Sequence, residues 1–123
     1  MKDFNLFYID DCKINHDVIA SFLKNIDINI EYFYDAISAL KCVNLKKTDI
    51  IIVDYIMPKM NGLEFIKNVR SLDKKVPIIL ITAASDESIK LKALESGATE
   101  FLYLPFNKYE FIMRIKNLLE LIK

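Results

Sequence analysis

Three short runs constrain this chain more than anything else in it. Residues 4–9, 50–53 and 78–81 are almost wholly apolar and rich in β-branched side chains. A strand with one wet face alternates apolar and polar residues, whereas a strand covered on both faces has no need of the polar ones. The runs are too short for buried helices and far short of the roughly 20 residues that span a bilayer. They predict the central strands of a sheet whose two faces are both covered, so the cover must come from the segments between them.

Those segments have helical spacing. Val18, Ile19, Phe22 and Leu23 form one apolar stripe, and Ala36, Ala39, Leu40 and Val43 form a second. Leu63 and Ile66 lie three apart, and Ile89 and Ala93 four apart. Phe111, Ile112, Ile115, Leu118, Leu119 and Ile122 mark a long closing helix. Residues 29–34 and 100–104 are more mixed and read as edge strands. Asp35 and Ser85 are placed as helix N-caps, and Gly97 suits the left-handed position just after a helix. Strand and helix signals alternate, which predicts an α/β, three-layer α/β/α domain built on a five-stranded parallel sheet.

A chain of 123 residues makes one such domain, spanning 1–123, with no linker, repeat or low-complexity stretch to divide it. Lys+Arg and Asp+Glu balance at 17 each, so net charge argues for neither a nucleic acid nor a membrane surface as partner. The two cysteines, Cys12 and Cys42, have no C-x-x-C spacing and suggest neither a metal site nor a disulfide. A reduced, cytoplasmic protein is the expectation, with no leader segment and no effector domain in this chain.

In parallel sheets the working site lies outside the carboxyl ends of the strands, where strand order reverses. The strand signals end in Asp10-Asp11, in Asp54, in Thr82 and in Leu104-Pro105. Three carboxylates and a hydroxyl therefore converge on one edge. Grouped carboxylates repel one another and call for protons or a cation. All-oxygen ligands select Mg²⁺ or Ca²⁺ over Zn²⁺, and so few protein carboxylates suit Mg²⁺ best. A single Asp here would read as a cap or a solvated loop end; three together do not.

Asp10-Asp11, the stretch Asp54-Tyr55-Ile56-Met57-Pro58-Lys59-Met60-Asn61-Gly62, Thr82-Ala83, and Glu100-Phe101-Leu102-Tyr103-Leu104-Pro105-Phe106 occur in that order. Together they resemble the receiver domains of bacterial two-component response regulators over essentially the whole chain. The resemblance implies a flavodoxin-like strand order of 2-1-3-4-5. It implies that Asp54 accepts a phosphoryl group from a sensor histidine kinase or histidine phosphotransfer protein. It implies Mg²⁺ ligation by Asp11 and Asp54, with Asp10 acting mainly through water and the Ile56 carbonyl as a backbone ligand. Thr82 would then hydrogen-bond the phosphoryl group and Phe101 would be the switch aromatic. Output would be protein–protein binding through the fourth helix, fifth strand and fifth helix, homodimerisation included, and the chain would not be an enzyme beyond slow self-dephosphorylation. Tyr103, Tyr109 and Met113 lie off the core stripe there and offer an apolar contact patch, which Leu104 would enlarge.

One position departs from the family. A lysine normally precedes the proline after the fifth strand, and here that residue is Leu104. Leucine cannot pair with Asp54 or a phosphoryl group, so Mg²⁺ becomes the main counter-charge unless Lys13 or Lys59 substitutes. The alternative is a pseudo-receiver that signals by binding without phosphorylation. Ile56 and Ala84 occupy the positions that tune phosphate loss in the family, and neither side chain can orient a water, which implies a long-lived phosphoryl form. His16, the only histidine, is expected to be an exposed residue of the first helix.

Overall fold

The apolar runs become strands because every second side chain along them finds a different hydrophobic layer. In a computed structural model, which describes residues 4–72, 74–83, 87–105 and 107–122, the strands are β1 (Asn5–Ile9), β2 (Asn29–Phe33), β3 (Ile50–Asp54), β4 (Ile78–Thr82) and β5 (Glu100–Tyr103). The helices are α1 (Lys13–Leu23), α2 (Ala36–Leu45), α3 (Gly62–Ser71), α4 (Glu87–Ser96) and α5 (Lys108–Ile122). All pairings are parallel. The order is β2-β1-β3-β4-β5, as the family resemblance implied, with β2 and β5 at the edges.

Phe7, Ile9, Ile51, Val53, Ile78 and Leu80 face one side, against Ala39 and Val43 of α2, Phe65, Ile66 and Val69 of α3, and Ala93 of α4. Their neighbours Leu6, Tyr8, Ile50, Ile52, Ile79 and Ile81 face the other side, against Ile19 and Leu23 of α1 and Phe111, Ile115 and Leu118 of α5. This two-faced burial is what the unbroken apolar runs demanded. Truncating a fully buried side chain such as Phe65 to alanine should cost about 3–5 kcal/mol.

The caps follow the sequence closely. Asp35 accepts from the Ser38 amide at 2.7 Å and begins α2. Asn61 and Glu64 form a reciprocal capping box on α3, at 2.9 and 3.0 Å. Gly97 sits at φ +109°, where a Cβ would also come within 2.9 Å of the Arg70 side chain. Arg70 itself reaches the carbonyls of Gly97, Lys74 and Val76, tying the ends of α3 and α4 to the start of β4. Ser85, expected as the cap of α4, lies outside the described residues. Ile122 is not part of the buried stripe of α5, being 36% exposed. Among the described residues no helix is long and apolar enough to cross a membrane.

Candidate functional site

The chain leaves β1 toward β2 on one side and toward β3 on the other, so the reversal of strand order falls between β1 and β3. Asp10 and Asp11 follow β1, and Asp54 ends β3. The structure brings these three carboxylates together, one oxygen of each lying within 4.8 Å of the others. Asp10 is fully buried, Asp54 half-buried and Asp11 exposed. The group is therefore open to solvent on the Asp11 side and closed beneath.

Asp54 feels this crowding. Burial, and then the charges of Asp10 and Asp11, push its carboxyl up from 3.8 to about 7, against the opposing pull of the Tyr55 and Ile56 backbone N–H groups. Near pH 7 the site is thus short of positive charge. No described ion pair reaches any of the three carboxylates. Lys13, a candidate to supply that charge, instead pairs with Asp17 at 2.9 Å on the exposed face of α1. Lys59 is exposed and lies near enough to Asp35 to favour that residue's ionised form. Three hard oxygen donors with a charge deficit fit a small divalent cation of the Mg²⁺ type.

Asp10 is held by its own set of donors. Its Oδ2 accepts from the Tyr8 hydroxyl at 2.8 Å and from Asn15 Nδ2 at 2.9 Å, while Oδ1 accepts from the Cys12 amide at 2.9 Å. The carboxylate beside it raises the Tyr8 hydroxyl's pKa strongly, after burial as the leading cause. His16 corrects the expectation of an exposed residue. It is buried, its Nε2 lies 2.6 Å from the Asp10 carbonyl oxygen, and its ring stacks on Tyr34 at 4.2 Å. The residue faces inward because the first turn of α1 folds back over the end of β1, where the Tyr8, Tyr32 and Tyr34 rings make room for an imidazole. His16 lies three residues before Ile19 and seven before Leu23, so helical spacing puts it on the buried face of α1, and that spacing was the signal that could have found it.

The segment after Asp54 is anchored at both ends. The Tyr55 amide bonds the Ile81 carbonyl, and the Gly62 amide returns to the Tyr55 carbonyl, both at 2.9 Å. Lys59 takes a left-handed φ of 72°, an uncommon choice for a residue with a Cβ. Gly62 is required by close approach. A Cβ there would lie 2.5 Å from the Asp54 carbonyl oxygen and 2.6 Å from Leu80. Ile56 is 65% exposed at the rim of the carboxylates. Thr82 is buried at the end of β4, in register with Tyr103, while Phe101 pairs with Leu80 two residues back. Phe101 is half-buried, edge-on to Tyr103 at 5.0 Å.

Tyr103, Tyr109 and Met113 are all exposed, and Leu91 and Leu94 of α4 are exposed with them. Leu104 does not join this face. It is half-buried and lines a cavity of about 330 Å³ with Asn15, Val18, Ala83 and Pro105, on the side of the sheet that carries α1. Ala84 and Phe106 lie outside the described residues.

The response regulator receiver domain family matches residues 6–116. Among curated proteins, the chain is 35% identical to the "Cyclic di-GMP phosphodiesterase response regulator RpfG" of Xanthomonas campestris, covering 95% of the chain and 32% of that protein. It is 38% identical to "Histidine kinase P4" of Formosa agariphila, covering 86% of the chain and 8% of that protein. It is 30% identical to the "Probable transcriptional regulator ycf29" of Porphyra purpurea, covering 94% and 56%. The chain thus spans about half or less of these relatives. Among solved structures, the Francisella response regulator 1452 receiver domain superposes with a TM-score of 0.91 at 26% identity, covering 98% of this chain and all of that one. The Vibrio cholerae chemotaxis protein CheY4 gives 0.85 at 28% identity, covering 94% and 98%.

Proposed function

Since this chain belongs to the response regulator receiver domain family of two-component systems, we propose that Asp54 is its phosphoryl acceptor. The observation that carries this reading is the Asp10–Asp11–Asp54 cluster at the reversal of strand order, with Asp54 alone at the end of a central strand. An Asp54 oxygen attacks the phosphorus of a phosphohistidine on a kinase or phosphotransfer protein. The P–N bond breaks, the acyl phosphate forms, and the departing imidazole takes up a proton. Such transfers depend chiefly on positioning and on neutralising the charge that spreads over the phosphoryl oxygens.

Asp11 and Asp54, with the Ile56 carbonyl and with Asp10 through water, would hold Mg²⁺, which when bound supplies that neutralising charge. The nearby backbone N–H groups of Tyr55 and Ile56 favour the ionised form of the Asp54 carboxylate. Thr82 would donate to a phosphoryl oxygen, and Phe101 would move as Thr82 does, altering the exposed apolar residues of α4, β5 and α5 where a protein partner docks. Among the relatives are proteins named as histidine kinases, consistent with a kinase or a phosphotransfer protein as donor.

Leu104 supports a competing reading, a pseudo-receiver that works by binding alone. The two separate on one experiment, incubation with acetyl phosphate and Mg²⁺ followed by intact-mass spectrometry. Phosphoryl addition to the parent and none to Asp54→Asn is the expected result. No addition to a folded parent that binds Mg²⁺ would leave the pseudo-receiver in possession.

A further inference from the structure

Asp10 is fully buried, and both in-plane lone pairs of its Oδ2 are taken, by the Tyr8 hydroxyl and by Asn15 Nδ2. Its Oδ1 accepts only the Cys12 amide among the described bonds, which leaves that oxygen with an acceptor position to spare. The carboxylate therefore cannot turn without breaking two bonds from donors that are themselves fixed. Tyr8 is wholly buried in the middle of the sheet, and Asn15 sits in the first turns of α1. Both donors are neutral. The residue next to them that the family would have made cationic is Leu104, whose side chain shares a cavity lining with Asn15.

We infer that Tyr8 and Asn15 are positioning residues for the divalent cation: they hold Asp10 by Oδ2 so that Oδ1 is the oxygen presented to the metal or to its water. This rests on the metal-site part of the reading above and does not require phosphoryl transfer. Partners of metal-binding carboxylates commonly matter by 10–100-fold in affinity. Asp10 is the least direct of the three ligands, so the low end of that range applies.

Neutral donors also explain how this chain keeps its buried carboxylate ordered with no ion pair to it among the described residues. A lysine stabilises such a group by charge and would compete with an incoming cation. Two hydroxyl or amide donors stabilise it by direction and leave its full charge available. The prediction is a site that is well ordered before metal arrives and strongly dependent on the metal afterwards.

The test is calorimetric titration of Mg²⁺ into the metal-stripped parent, Tyr8→Phe, Asn15→Ala and a control, Tyr32→Phe, whose hydroxyl has no described bond to the carboxylates. Thermal melting of each metal-free protein is followed in parallel. Affinity should fall about tenfold in Tyr8→Phe and in Asn15→Ala and stay unchanged in Tyr32→Phe. With acetyl phosphate, the Mg²⁺ concentration for half-maximal labelling should rise by the same factor, while the rate at saturating Mg²⁺ stays within about twofold of the parent. Lower melting temperatures with unchanged Mg²⁺ affinity would reduce both residues to structural roles and overturn the inference, as would a parent that binds no Mg²⁺. Tenfold affinity losses in a parent that takes up no phosphoryl group would uphold it while sinking the acceptor reading. Should Tyr8→Phe fail to fold, Asn15→Ala alone decides, because Asn15 is half-buried on α1 and belongs to neither core cluster.

Discussion

Replacing Asp54 by asparagine should make the metal-free protein more stable, and by an amount that depends on pH in a known direction. The carboxyl is raised from 3.8 to about 7. A raised acid keeps its proton in the folded state over a range where the unfolded chain has lost it. Folded-state stability is therefore unaffected below about pH 4, falls as pH climbs from about 4 to 7, and stays low above that. Three pKa units would correspond to about 4 kcal/mol. Asp54 is only half-buried and solvent screens it, so roughly 1–2 kcal/mol is the working figure. Asparagine keeps the shape and drops the charge, so the variant should not share the decline.

For a domain of this size that difference moves the melting temperature by about 4–8 °C at pH 8, shrinking toward zero at pH 4. Melting curves by circular dichroism in EDTA, at several pH values from 4 to 8, read it directly. Saturating Mg²⁺ should then reverse the order. The parent gains about 2.7 kcal/mol when the free metal reaches a hundred times its dissociation constant, while the variant, having lost a ligand, gains little. Parent and variant with parallel pH profiles in EDTA would refute the electrostatic argument. An equal Mg²⁺ stabilisation of both would refute Asp54 as a ligand.

Other outcomes follow from single positions. Gly62→Ala should lose about 1–3 kcal/mol in urea denaturation, since its Cβ would meet the Asp54 carbonyl at 2.5 Å, and it should weaken Mg²⁺ binding as Asp54 shifts. Lys59→Val should cost more than Lys59→Gly in the same assay, by about 1 kcal/mol or more, because a β-branched residue tolerates φ 72° poorly. Leu104→Lys adds an ammonium in the cavity shared with Asn15, whose side chain bonds Asp10, and should flatten the pH dependence of metal-free stability between pH 4 and 8. The phosphoryl form should persist well beyond seconds, followed by intact mass after donor removal, and Ile56→Gln, which offers a hydrogen-bonding side chain at the exposed rim, should shorten it.

The strands, the helices and the location of the site were legible because each rests on local rules. Unbroken apolar runs mean two covered faces, stripes mean helices, and the ends of parallel strands are where polar side chains can gather. Asp10, Asp11 and Asp54 could be read as strand-end residues, but that β1 and β3 are neighbours came from the strand order the family resemblance implied, which the structure has. What pattern could not supply was the surroundings of each carboxylate. His16 was expected to be exposed, because a lone polar residue on a helix usually is. Its spacing to Ile19 and Leu23 already puts it on the buried face of α1, but the three tyrosines from β1 and the end of β2 that make room for an imidazole there are a contact between segments that no spacing encodes. Tyr8 reads in the sequence as one more apolar strand residue, and only the approach of Asn15 from α1 turns its hydroxyl into half of a clamp on Asp10. Leu104 was visible as a missing lysine, but its facing toward α1, away from Tyr103, came from packing around β5. The sequence by itself determined which carboxylates stand at the ends of strands. Tertiary structure decided how each is held and what charge surrounds it, because hydrogen-bond direction and desolvation belong to the packed neighbourhood and not to any one segment.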